Sequence, residues 1–416
     1  MRNSRRVVIT GLGVVAPNGI GKDAFWQNLV AGKSAIDYIT AFDPTPYPCH
    51  VAGEVRDFDA KAFTTTRKAK MMGRFSQFAV AATRLALEDA HLTVRAGLSS
   101  AISIFYGTSI NGGGDVAADA LDALHRAGVA GINPWAALEY PPHAPSSYIA
   151  IEFGIKGPAL SISSNCCTGI DAINEGFKHI AAGSSTVAVV GGCDAPVFPL
   201  AFGAFCALGA LSKRTDAPQK ASRPYDLLRD GIVISEGAAT LVLEELEFAR
   251  DRGANIYAEV LGHGSASEAI GMRKGDLSGK RMAVAISEAI LQAGLVPERI
   301  DHVNAHGSSL PDYDICDTNA FKEAFGKHAY RIPVASIKSM IGQPVSAAGT
   351  IQAAAACLSI RDQIVPPTIN QEVPDPQCDL DYVPNTSRVA RVRNVLVNGH
   401  SFGGSVAALV IGALTS

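Results

Sequence analysis

The chain has 416 residues, 47% of them hydrophobic and 18% charged, with 40 glycines and a formal net charge of −3. That is long enough to bury a large core in two similar units or two small domains, too apolar for a disordered chain, and not basic enough for a general nucleic-acid binder. Its eight cysteines show no C-x-x-C pairing, so their spacing indicates neither a zinc site nor a disulfide framework, and no uninterrupted apolar run approaches the roughly 20 residues needed to span a bilayer.

The opening, MRNSRRVVITGLGVVAPNG, has a basic flank, but glycines interrupt its apolar stretch and it lacks a cleavage pattern, so a cytosolic protein with reduced thiols is expected. Residues 6–11, RVVITG, read as a buried strand, because β-branched residues run up to a glycine. A helix follows near DAFWQNLVAG, and RFSQFAVAATRLALEDAHL carries apolar residues at helical spacing before the strand SAISIFYGTS. Residues 114–150, which alternate helical and proline-rich stretches, look like an insertion. SSTVAVVGG and AATLVLEEL continue as strands, and the alternation predicts mostly parallel strands with helices on the faces.

After the charged helical stretch EELEFARDRGA the logic repeats. NIYAEVLGHG leads to the helix RMAVAISEAILQAGL, the strand RIDHVNAHG, the helix TIQAAAACLSIRD, and the strand, turn and strand of NVLVNGHSFGGSVAALVIGAL. SISSNCCTGIDAINEGFKHIAAG and VASIKSMIGQPVSAAGTIQAAAACLSI are alike, each leading from small polar and β-branched residues through a turn into an Ala/Gly-rich helix. The repeat predicts two pseudo-equivalent α/β units, residues 1–253 and 254–416, sharing one site.

Four segments carry chemistry. Cys166 follows Ser163, Ser164 and Asn165, residues suited to capping, at the start of a helix. The positive end of the helix dipole is expected to lower the thiol pKa and to turn free N–H groups toward whatever the sulfur attacks. A cysteine there is also simply a small buried hydrophobe, and His306 in VNAHGSSLP or Lys338 in SIKSMIGQP would each mean little alone. Together they supply a nucleophile, a base or donor, and electrostatic support for thiol-based acyl transfer. Gly403 and Gly404, after Phe402, permit either an ordinary hairpin turn or one that brings N–H groups up to a reacting carbonyl.

In this order the segments resemble the β-ketoacyl-acyl carrier protein synthases, in the elongating branch of fatty-acid and type II polyketide ketosynthases. VVITGLGVVAPNG, RFSQFAVAATRLALEDA, GPALSISSNCCTG, LSKRTDAPQKASRPYDLLRDGIVISEGAATLVLEE, VNAHGSSLP, SIKSMIGQPVSAAG and NGHSFGGS carry the resemblance across essentially the whole chain. It implies a thiolase-like fold of two pseudo-repeated α/β units in a layered αβαβα architecture, and a cytoplasmic acyltransferase that forms C–C bonds. By resemblance Cys166 is the acyl-accepting nucleophile, with Cys167 in the next slot; His306 is the first catalytic histidine, Lys338 the family's lysine, and Asp317 an acid that holds it. The backbone N–H groups of Cys166 and Phe402 would form an oxyanion hole, with Phe402 also gating malonyl access. Ile110 falls at the acyl-pocket wall, and Ser308, Leu310, His400, Gly403 and Gly404 along the substrate. Arg67, Lys68, Lys70 and Arg214 match a basic patch that docks the acidic acyl carrier protein. The resemblance implies no metal or organic cofactor beyond the phosphopantetheine arm that the carrier brings. It also implies a dimer, with a second copy or with a ketosynthase-like or chain-length-factor chain, paired through a strand of the first unit with residues 114–150 reaching the partner's pocket. No nucleic acid or membrane partner is implied.

Three departures bear on activity. The family's second histidine, in KSMxGH, is Gln343 here, which cannot act as a base but can donate an amide hydrogen bond to a thioester carbonyl, as an asparagine does in the related initiating synthases. HGSSLP stands for the usual HGTST, so Ser308 keeps a hydroxyl and Leu310 loses one expected to bind pantetheine. The gating loop reads SFGGSV after His400, where the family has GFGGTN after a phenylalanine. These changes suggest a specialised polyketide or fatty-acid pathway. The alternatives are a chain-length-factor-like subunit that shapes a partner's cavity without turning over, which retention of Cys166 opposes, and an acyltransferase, hydrolase or decarboxylase that does not elongate.

Overall fold

The computed structural model describes residues 5–110 and 113–415. Ten strands make up the main path of one sheet: β1 (Val7–Ala16), β2 (Ile102–Gly107), β3 (Ala159–Ile162), β4 (Val187–Asp194), β5 (Gly237–Glu245), β6 (Ala258–Ser267), β7 (His302–Asn304), β8 (Val334–Ala335), β9 (Asn394–His400) and β10 (Ser405–Gly412). Gly19–Ile20 adds an eleventh beside β1. The spatial order is β8-β7-β9-β10-β6-β1-β5-β4-β2-β3. Each half thus runs first, fifth, fourth, second, third from the centre, so the repeat read in the sequence is a repeat of topology.

The expected mostly parallel sheet is corrected. Only the outer pairs, β2 with β3 and β4 and β7 with β8 and β9, are parallel, and the five central pairings are antiparallel. Parallel pairing needs a crossover, which β2 to β4 and β7 to β9 supply with helices, whereas β9 and β10 are joined by the short turn at residues 401–404 and must run antiparallel. Strand β1 also continues past Gly11 to Ala16: a Cβ at Gly11 or Gly13 would lie 2.2 Å or 1.8 Å from carbonyl oxygens of the helix behind it, so these glycines admit a helix and do not end the strand.

Among the described residues there are nine longer helices: α1 (Lys22–Val30), α2 (Arg74–Asp89), α3 (Gly113–Ala127), α4 (Ala144–Phe153), α5 (Thr168–Ala181), α6 (Pro199–Ala207), α7 (Lys280–Gln292), α8 (Pro311–Phe325) and α9 (Ala348–Asp362). Alternate strand residues face opposite layers. Val187 and Val189 pack with Phe78 and Ala82 of α2, while Ala188 and Val190 pack with Ile170 and Ile173 of α5. Likewise Ala408 and Val410 pack with Ile286 of α7, and Leu409 and Ile411 share the central core with Ile351 of α9. The core therefore centres on α5 and α9, held between two half-sheets with α2 and α7 outside, and these layers are those of the thiolase-like fold. Where α5 and α9 meet, a Cβ on Gly169 would lie 2.6 Å from the Thr350 nitrogen and one on Gly349 2.7 Å from the Ile170 nitrogen, so only glycine lets these backbones touch. Among the described residues no helix is long and apolar enough to cross a membrane.

Candidate active site

Both halves enter their central helix in the same way. Asn165–Cys167 precedes α5 and Val345–Ala347 precedes α9, each a 3₁₀ turn opening on a left-handed residue, Asn165 at φ 56° and Val345 at φ 47°. Asparagine tolerates that region, whereas for β-branched valine it is strained. Cys166 in the first half accordingly stands where Ser346 stands in the second. The serines before Cys166 do not cap the turn: Ser164 Oγ bonds Asp171 instead.

The two adjacent thiols part company here. Cys167 turns into the central core and Cys166 into a cleft. Asn165, Phe205, Ile232, His306, Gln343 and Phe402 are among the residues that line that cleft. Gln343, held by backbone bonds to Val233 and Ser235, aims its amide Nε2 at the Cys166 sulfur from 3.4 Å. Its Oε1 has no partner. The expected lowering of the thiol pKa is overturned: burial pushes Cys166 up to about 12, against the pull of the Lys338 charge. Desolvating a thiolate outweighs the helix end because the sulfur is enclosed, not merely placed at an N-terminus.

His306 leaves β7 with its N–H bonded to Asn398 Oδ1 at 2.9 Å. Its Nδ1 accepts the His400 backbone N–H at 3.2 Å, so the neutral ring carries its proton on Nε2. Burial, then the Lys338 charge and His400, holds the ring well below the usual histidine pKa. His306 is therefore a neutral donor at physiological pH.

Lys338 is buried, and its ammonium donates to the His306 carbonyl at 2.7 Å and to Gln352 Oε1 at 3.0 Å. Burial lowers it to about 8. Asp317 does not grip this lysine as the resemblance implied. Its Oδ2 accepts the Gly307 N–H at 2.8 Å and Tyr225 at 3.1 Å, and its Oδ1 accepts Asn398 at 2.9 Å. The carboxylate thus fixes the backbone around His306 and reaches Lys338 only through its charge, while Gln352 makes the contact.

The remaining residues fall at several distances from the sulfur. Leu310 and His400 line the cleft, and so does Ser308, whose N–H bonds Asp314 and whose hydroxyl has no partner. Ile110 packs into the apolar cluster that includes Cys166, with its N–H on Asp194; the glycine-rich stretch immediately after it lies partly outside the described residues. Phe402 packs edge-on to Tyr313, and Gly403 and Gly404 turn left-handed at φ 92° and 80° behind it. Sequence reasoning missed Ser401, whose hydroxyl accepts the Cys167 N–H at 3.0 Å and donates to the Ser164 carbonyl at 2.7 Å, tying the Cys166 turn to the turn that carries Phe402. It also missed Asn398, Gln352 and Tyr313, whose roles depend on partners far away in the chain. Of the basic patch, Arg67 and Lys70 are exposed, Lys68 is paired with Glu152 at 2.7 Å, and Arg214 with Asp216 at 3.3 Å.

With this geometry, comparison places the chain. The model of the beta-ketoacyl synthase N-terminal domain matches residues 4–249 and that of the C-terminal domain residues 257–372, so the chain belongs to the β-ketoacyl synthase family. It is 40% identical over 407 residues to 3-oxoacyl-[acyl-carrier-protein] synthase 2 of Coxiella burnetii, covering 98% of both chains. Among solved structures it is similar to a type II polyketide synthase ketosynthase in complex with its acyl-carrier protein and bound to a hexaketide (TM-score 0.91, 34% identity, 99% of this chain and 100% of that one). The ishigamide ketosynthase/chain length factor gives a TM-score of 0.92 at 34% identity, with the same coverage.

Proposed function

We propose that this chain is a β-ketoacyl-acyl carrier protein synthase of a polyketide or fatty-acid pathway. Cys166 attacks the thioester of an acyl group carried on phosphopantetheine; a C–S bond forms, the pantetheine C–S bond breaks, and the thiol proton ends on the departing sulfur. Malonyl-carrier protein then enters past Phe402. His306 Nε2–H and the Gln343 amide donate to its thioester carbonyl, carbon dioxide leaves, and the resulting enolate attacks the acyl-cysteine; a C–C bond forms, the C–S bond to Cys166 breaks, the released thiolate takes a proton from water, and the β-ketoacyl product stays on the carrier. The N–H groups of Cys166 and Phe402 stabilise the tetrahedral oxyanion. No proton need be removed by a side chain, which is why glutamine can serve where a base could not.

One observation carries this reading: two neutral donors, Gln343 and His306, line the cleft that Cys166 also lines, with the glutamine Nε2 3.4 Å from the sulfur. Arg67, Lys70 and, once released from Glu152 and Asp216, Lys68 and Arg214 are the cations we assign to the acidic carrier. The exposed edge strand β3 is the side we assign to a partner, a second copy or a chain-length-factor-like subunit, because an unpaired edge in this position is a template for another strand. We place the two units at residues 1–253 and 254–416 and the protein in the cytoplasm, with the carrier's pantetheine arm as the only group supplied from outside.

The test is intact-mass analysis of enzyme and carrier after mixing with acyl- and malonyl-carrier protein, with Cys166→Ala in parallel. Acylation of Cys166 followed by a carrier-bound ketone two carbons longer supports the synthase. Acylation without elongation, even with candidate partner chains present, would reassign the chain to acyl transfer, and no acylation would make it a structural subunit.

A further inference from the structure

Behind the gating turn lies a buried cluster that the reaction above does not use. Glu268 follows β6, Cys316 sits on α8, and His400 ends β9; all three are buried, and a carboxylate oxygen, the sulfur and a ring nitrogen lie within 4.8 Å of one another. Glu268 Oε2 and both ring nitrogens of His400 have no hydrogen-bond partner, although Glu268 is 8% and His400 1% exposed. The two groups are only 3.1 Å apart, yet they are misaligned for a hydrogen bond. Buried polar atoms left in this state call for an explanation.

We propose that Glu268, Cys316 and His400 form a tetrahedral site for a borderline divalent metal ion of the zinc class, with a fourth position left for water or another ligand. The spacing supports this. Metal bonds of about 2.0 Å to nitrogen and oxygen and about 2.3 Å to sulfur, at tetrahedral angles, put ligand atoms about 3.3 Å apart for N and O and about 3.5 Å for S and O. The observed separations are 3.1 Å between His400 Nε2 and Glu268 Oε2 and 3.7 Å between Cys316 Sγ and Glu268 Oε1. The carboxylate presents one oxygen to each neighbour, so a small rotation or a two-oxygen grip completes the set.

Charge balances as well. Binding expels one proton, from the Cys316 thiol, and the thiolate, the carboxylate and a neutral imidazole then offset the two positive charges of the ion. Without an ion, the thiol has little reason to ionise, since burial pushes it up and Glu268 adds to that. Position gives the site a role. The Glu268 N–H holds the Gly404 carbonyl at 2.8 Å, and the His400 N–H sets the His306 tautomer, so an ion here would stiffen both the gate and the catalytic histidine.

The probe is cobalt(II), added in one equivalent to full-length protein that has been stripped with a chelator and carries Cys166→Ala, so that the nucleophile cannot take the metal. The expected result is a near-ultraviolet thiolate-to-cobalt charge-transfer band with tetrahedral d–d bands, displaced by zinc. In the Cys316→Ala background that band disappears and affinity falls by more than the roughly 10–100-fold that loss of an outer-shell partner costs. Glu268→Gln keeps the band and weakens binding. Circular dichroism confirms that each variant is folded. Absence of the band in folded Cys166→Ala protein, or its persistence without Cys316, overturns the proposal, and the cluster is then a buried His–Glu pair with a neighbouring thiol.

Discussion

The two halves share one strand order and one way of entering a central helix, yet they have been put to different uses. In the first half the turn before α5 carries Cys166 and the outermost strand, β3, is exposed along most of its length. In the second half the equivalent turn carries Ser346, and the outermost strand, β8, is buried. Ser346 serves the frame: its N–H bonds Asp194 Oδ2 at 2.9 Å and its hydroxyl bonds Ser109 at 2.7 Å, while Asp194 also holds the Ile110 N–H. On the reading proposed here, one half supplies the nucleophile, Cys166, and the exposed edge assigned to a partner, and the other supplies His306, Lys338 and Gln343. The two turns are alike in backbone, and what sets them apart is the side chain each carries: Cys166 lines the cleft, whereas Ser346 is bonded to Asp194 and Ser109.

The most direct way to break this division is to exchange the two turns. Cys166→Ala is expected to lower the rate of acyl transfer from the carrier to the enzyme by more than about 10⁴-fold. Ser346→Ala should leave acylation within about fivefold, the scale of one lost hydrogen bond of ~1 kcal/mol. Single-turnover mass spectrometry reads both, and equal losses would mean that the halves are not functionally distinct. Next in size, Gln343→Ala should cut condensation by about 10²–10³-fold, the usual price of one donor at a developing oxyanion, while self-acylation changes less than about tenfold. Gln343→His should keep condensation.

A third prediction concerns protonation. With the thiol pushed up to about 12, the reactive thiolate is a small fraction at neutral pH and grows about tenfold for each pH unit. Alkylation of Cys166 by iodoacetamide should rise about a hundredfold from pH 6 to 8. Above that it should climb less steeply as Lys338, at about 8, loses the charge that favours the thiolate. A plateau near pH 7 would show a thiol with a depressed pKa and restore the sequence-based expectation. The smallest effect is at the seam between halves. Gly349→Ala should destabilise by about 1–3 kcal/mol through overpacking, read as a lower Tm, with α5 forced away from α9.

Much of the site was legible because its residues sit in short local patterns. NCCTG, AHGSS and KSMIGQ each put a reactive group at a strand-to-helix turn, and the structure brings Cys166, His306 and Gln343 to one cleft. What escaped was whatever depends on distance through space. Strand direction cannot be read from alternation alone, so the antiparallel centre was missed. The Cys166 pKa depends on enclosure by residues from both halves, and the Lys338 contact belongs to Gln352 because only the folded α9 brings that amide within 3.0 Å. Glu268, Cys316 and His400 have no spacing that any motif would flag.

The antiparallel centre has a consequence for synthesis. Strand β1, buried along its whole length, pairs with β5 and briefly with β6, and Val7 finds its place only opposite Glu245. At ~5–20 residues per second the ribosome reaches that partner roughly 10–50 s after making β1. Through that interval this fully buried strand has only the two-residue strand Gly19–Ile20 to pair with, at its far end. The order of strands that builds a shared catalytic cleft from two halves therefore also makes the nascent chain a strong candidate for chaperone binding at its N-terminal end.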